Sequence, residues 1–143
     1  MESSVRVTLA GAAVLVAAAG NLLAIVLLPW AHYGALTMGL DRFPGWPWHA
    51  TAVAVLYAAA LWALLAAPQR RRPVIVLSAL AGLAAAGSAV ALALRYDEAS
   101  LFFDRYVPAV IPAHGTGAPV AVLSVLVCLT AVGSRWPRST GAG

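Results

Sequence analysis

The sequence predicts an all-α membrane protein, an antiparallel four-helix transmembrane bundle with both termini cytoplasmic and two aromatic-rich outer loops. Three observations carry this reading. Four apolar stretches, about Val7–Leu28, Ala50–Ala67, Val74–Leu94 and Ala118–Val132, take up most of the 143 residues. Hydrophobic residues make up 62% of the chain and its mean hydropathy is +0.87, whereas soluble domains are roughly half apolar. The arginines are also divided unevenly among the breaks between the apolar stretches.

At about 1.5 Å per helical residue, about twenty residues cross a hydrocarbon core roughly 30 Å thick. The first and third stretches reach that length. The second and fourth need flanking residues or a locally thinned bilayer. The breaks leave no room for a separate aqueous domain, so residues 1–143 read as one four-span domain.

All nine basic residues are arginine. Arg6, Arg70, Arg71, Arg72, Arg135 and Arg138 flank one end of the spans, and Arg42, Arg95 and Arg105 flank the other. Asp41, Asp97, Glu98 and Asp104 lie on the second side but count for little in orientation. The arginine-rich end is therefore expected inside. This placement explains the basic pI without nucleic acid, which is not expected as a partner; anionic membrane lipids are.

Along the chain, Met1–Arg6 and the following run raise the alternative of a signal peptide. The apolar run continues to Leu28 and exceeds the roughly 7–15 residues of such a segment, which favours an uncleaved first helix. Asn21 is the only strongly polar residue in that helix and is expected to hydrogen-bond to a neighbouring helix. Pro29–Trp30 ends it. The loop Trp30–His49 is rich in aromatics and punctuated by Pro44, Gly45 and Pro47. Ala35–Leu40 is expected to make a short helical turn there.

Gln69–Pro73 reads as a tight turn into the third helix. That helix carries rows of small residues, including Ser78, Gly82 and Ala86, which permit close backbone approach and suggest that it is the packing centre. In the second outer segment, Arg95–Gly117, helical spacing sets Arg95 near Glu98 and turns Leu101, Phe102 and Tyr106 toward the membrane, as in an amphipathic interfacial helix. Asp41–Arg42–Phe43–Pro44 is echoed by Asp104–Arg105–Tyr106–Val107–Pro108, a match too short to establish a duplicated hairpin.

The candidate partner or ligand surface is aromatic: Trp30, Tyr33, Phe43, Trp46, Trp48, Phe102, Phe103 and Tyr106. The bland reading of these residues is an interfacial belt, where Trp and Tyr are enriched in any case. His32, His49 and His114 map to the outer ends of three helices. Convergence there would make a Cu or Zn site near Met38 or Asp41, although no paired-histidine spacing supports it. Haem ligation is not expected, and no cofactor is. Cys128 stands alone, which excludes an intramolecular disulfide.

No ionisable residue falls deep in a span, the usual mark of proton or ion coupling. Ser78, Ser88 and Ser124 lie in spans with no histidine or carboxylate expected at their depth, so a nucleophilic enzyme is not expected. Together these readings favour a non-catalytic accessory or scaffold subunit. Its partner would be a larger membrane complex or a second copy of the chain. The alternative is binding or transport of a small apolar molecule (lipid, quinone or metabolite) under the first outer loop.

The layout, with a first span ending in Pro-Trp, an Arg-rich turn before the third span and Arg135–Trp136–Pro137 after the fourth, resembles the actinobacterial tryptophan-associated transmembrane proteins. The resemblance implies four spans and supports topology more than function.

Overall fold

A computed structural model describes residues 2–136, with side chains described from Val7 onward. Pro137 and Arg138 lie outside the described residues. The described chain forms four helices, α1 (Glu2–Val26), α2 (Trp46–Leu65), α3 (Pro68–Ala93) and α4 (Gly117–Gly133), and three short strands, β1 (Ala31–Tyr33), β2 (Leu36–Met38) and β3 (Pro112–His114). Helices α1, α2 and α3 are long and apolar enough to cross a membrane, and α4 is a shorter apolar helix of 17 residues. Leu9, Leu15, Val16, Leu22 and Val26 remain exposed on α1. Such a surface suits hydrocarbon and not water. The chain is mostly helical and of membrane type.

Each helix buries one face at helical spacing. His49, Val53, Leu56, Ala60 and Ala63 do so on α2, and Ser78, Ala81, Ala85, Ala89 and Leu92 on α3. The shared core is dominated by alanine and valine. With lipid supplying no hydrophobic drive between helices, short side chains let the helices gain dispersion contacts at close range. Gly82 of α3 lies directly under Leu129 of α4, and Gly20 of α1 under Ser124 of α4. Ala86 packs at the edge of the core.

The expectation that α3 is the packing centre is corrected. Helices α2 and α4 each pack on all three others, while α1 and α3 lie diagonally opposed. Small residues recur on every helix, so their presence on α3 did not single it out.

The expected turn at Gln69–Pro73 is also corrected, because α3 begins at Pro68 and runs through Pro73. Pro68 fits the first helical position, where no N–H partner is lost. Pro73 lacks the amide that would bond the Gln69 carbonyl, and this site is exposed, where water can serve. The Arg71 guanidinium turns back to the Ala66 carbonyl at 3.2 Å, a favourable cation at the C-terminal end of α2.

Candidate functional site

The arginine-poor end of the bundle, its outer end in the expected orientation, is closed by a folded cap. Its core is a three-stranded sheet of order β2-β1-β3, antiparallel throughout, in which Ala31 pairs with both Met38 and His114. Tyr33 pairs with Leu36, leaving Gly34–Ala35 as the hairpin loop, and Gly34 takes the left-handed φ of +62° that glycine adopts without strain. The Trp30 amide donates to Met38 O at 2.7 Å, while Gly115 and Gly117 donate to Trp30 O and Pro29 O at 3.0 and 2.8 Å. These bonds tie the two outer segments into one unit.

Two local expectations are corrected. Ala35–Leu40 is not a helical turn: Leu36–Met38 is strand, and a single 3₁₀ turn follows at Leu40–Arg42. Arg95–Tyr106 is not an amphipathic helix: it holds one 3₁₀ turn at Ala99–Leu101 within irregular backbone. Its local ion pair is present, with Arg95 donating to Glu98 Oε1 and Oε2 at 3.0 and 2.8 Å. That bond holds the Glu98 carboxyl below its ordinary pKa and raises Arg95.

Trp30 organises the cap. Its indole N–H donates to the Ala24 carbonyl at 2.7 Å, supplying a partner that the end of α1 lacks. Its ring meets Phe43 at 6.3 Å and His49 at 5.4 Å between centroids. Phe43 continues to Phe102 at 4.9 Å, and Tyr33 meets Phe102 and Phe103 at 5.6 and 5.2 Å. The Tyr33 hydroxyl donates to Tyr96 O at 2.9 Å. Burial, and then the nearby Asp97 charge, push its pKa up.

Trp30, Tyr33 and Phe43 therefore do not form a surface, because the hairpin and the 3₁₀ turn roll them onto one another and onto Leu40, Leu92 and Ala118. Phe102 and Phe103 are half-buried against them. Of the expected aromatic surface, Trp46, Trp48 and Tyr106 are exposed. Sequence reasoning missed their apolar neighbours Val107, Val110 and Ile111, which extend Tyr106 into an exposed rim. The clustering of β-branched residues with Pro108 and Pro112 was the available signal.

The three histidines do not converge. Among the described residues no group of three or more His, Cys, Asp or Glu side chains is placed to hold a metal. His49 is fully buried beneath Trp30. His114 lies against the Tyr96 ring at 3.6 Å. His32 neighbours the partner of His114 on the adjacent strand, so alternation sends the two side chains to opposite sheet faces.

Ser88 does meet a histidine, contrary to expectation. His49 Nδ1 lies 2.9 Å from Ser88 Oγ, because the start of α2 and the end of α3 share the outer third of the bundle. The Ser88 hydroxyl donates to Ala85 O at 2.9 Å, so Nδ1–H donates to Ser88 and Nε2 is left as a buried acceptor without a partner among the described residues. A serine that donates to its own helix, beside an imidazole with no orienting acid and no access, is a packing contact. It lacks the geometry of a nucleophile with its base.

No protein family, curated protein or solved structure matches this chain. The functional reading therefore rests on the site itself.

Deeper in the bundle, Asn21 donates from Nδ2 to the Tyr57 hydroxyl at 2.7 Å, joining α1 to α2, and its Oδ1 is buried without a partner among the described residues. Ser78 is fully buried and donates to Val74 O of its own helix. Beside the cap, Trp30, Val90, Leu94, His114, Ala118 and Val122 contribute to a groove of about 330 Å³ between α3 and α4.

Proposed function

We propose that this chain is a small, non-catalytic multi-pass protein of the cell membrane that docks as an accessory subunit on a larger membrane complex. In this reading all four helices span the bilayer with both termini inside. The α4 helix is about 25 Å long and reaches across with help from its flanking residues. Kinship with the tryptophan-associated transmembrane family is part of the same proposal.

The observation that carries the docking role is the exposed rim on the cap. Tyr106 is 87% and Ile111 92% exposed, with Val107 and Val110 between them, on a segment outside the helices. An aromatic and three aliphatic side chains exposed within one short loop segment fit a protein partner. The rim is pinned at one end by β3 and carries no part of the cap's buried core. Binding there can vary without unfolding the cap.

The test is purification from the native host in gentle detergent, comparing wild type with a Tyr106→Ser, Ile111→Ser double variant. Wild type is expected to carry one stoichiometric larger partner, and the double variant to lose it with unchanged thermal stability. Recovery of wild type as a lone monomer would contradict the proposal.

The groove between α3 and α4 favours a second reading, in which a small apolar molecule binds beside Trp30 with His114 as its polar contact. Co-purification of one defined small molecule, lost in a Val122→Trp variant, would select it.

A further inference from the structure

We propose that the cleft between α1 and α4 at the arginine-rich end of the bundle holds one acyl chain of an anionic phospholipid, with its phosphate on Arg135. The cleft has a volume of about 680 Å³. Leu9, Ala10 and Ala13 of α1 form one wall, and Leu123, Leu126 and Val127 of α4 form the other. It exists because Ala10 and Ala13 are too short to fill the space opposite α4. From Leu123 to Arg135 the α4 side runs about 18 Å, the reach of a long acyl chain.

The polar end is one-sided. Thr130 and Ser134 line it, but their hydroxyls donate to Leu126 O and Ala131 O of their own helix at 2.8 and 2.7 Å. Arg135 is the remaining donor, and its Nε is shielded from solvent with no partner among the described residues. A shielded guanidinium N–H without an acceptor is unfavourable, and a phosphate oxygen at this point supplies the charge-assisted bond.

Charge complementarity selects the occupant. By sequence, this end carries Arg6, Arg70, Arg71, Arg72, Arg135 and Arg138 against the single acid Glu2. The phosphate bond to Arg135 is open to any phospholipid; the summed field, with no choline cation to oppose it, favours an anionic headgroup over a zwitterionic one. An uncharged apolar ligand would fill the walls and leave Arg135 unanswered. The inference is independent of the accessory role and of which end of the protein faces the cytoplasm.

The test uses the full chain reconstituted in vesicles of equimolar phosphatidylglycerol and phosphatidylcholine, extracted in gentle detergent and examined by native mass spectrometry. Wild type is expected to retain one phosphatidylglycerol with about fivefold preference, the effect of its net charge beside a basic side chain. Arg135→Gln is expected to lower retention of both lipids and to reduce the preference, and Arg135→Lys to keep part of each. Val127→Trp plugs the cleft from its lipid-facing side and is expected to lower retention of both lipids with helix content unchanged. Equal retention of the two lipids by wild type would overturn the proposal. So would undiminished preference in Arg135→Gln, or undiminished retention in Val127→Trp.

Discussion

The two outer segments start from similar residues and arrive at opposite surfaces. In the first, Phe43 of Asp41–Arg42–Phe43–Pro44 is buried against Trp30 and Phe102. In the second, Tyr106 of Asp104–Arg105–Tyr106–Val107–Pro108 stands exposed. The backbone makes the difference. A two-residue hairpin and a 3₁₀ turn on α1 and α2 fold the first segment back over the bundle, so its aromatics find one another. The second segment gives β1 only the strand Pro112–His114, and Pro108 supplies no amide for further pairing. Aromatic content alone therefore says little about whether a loop is core or contact surface; the hydrogen bonds available to its backbone decide.

Substitutions can break this contrast in descending steps. Trp30→Ala removes the centre of the cap and leaves the Ala24 carbonyl unbonded; a loss of about 3–5 kcal/mol is expected, read as a lower thermal midpoint in detergent. Gly115→Ala drives a Cβ into the backbone of Pro29 and Trp30, where no side chain can yield. It is expected to cost about 1–3 kcal/mol and to loosen the second segment from the first, seen as faster amide exchange at β3. Tyr33→Phe deletes the hydroxyl bond to Tyr96 O between the segments, at about 0.5–1.5 kcal/mol.

The smallest effect concerns the exposed Arg95–Glu98 pair. The depressed Glu98 pKa means that its contribution is present above the ordinary carboxylate pKa and is lost as pH falls through the lower folded value. A slight drop in thermal midpoint on acidification is expected in wild type and should be weaker in Glu98→Gln. An equal drop in both would remove this pair from the account.

The helices were legible because a run of apolar residues reports a span directly. The N-terminal ends of α2 and α3 were less so: Trp46 and Pro47 read as loop, yet Pro47 sits in the first turn of α2, where proline is tolerated, and α3 starts at Pro68 within the expected turn. The sheet was not legible. Its strands are three residues long, too short for alternation to register, and β1 pairs with β3 from the far end of the chain. Missing the sheet sent Trp30, Tyr33 and Phe43 to the surface and left the histidines free to converge. A lone Asn21 among apolar residues required a partner, but only the fold shows that Tyr57 supplies it. The Ser88–His49 contact was hidden for the same reason, since relative depth on separate helices depends on where each helix starts.

The central claim is that the second outer segment, and not the buried first one, carries the docking surface. In-membrane photo-crosslinking in the native host tests it most directly, with a photoreactive side chain at Ile111, at the bundle's lipid-facing Leu15, or at the cap's buried Phe43. The account predicts one discrete protein adduct from Ile111, lipid adducts from Leu15 and only intramolecular products from Phe43. Lipid adducts alone from Ile111, or the same protein adduct from all three positions, would contradict it.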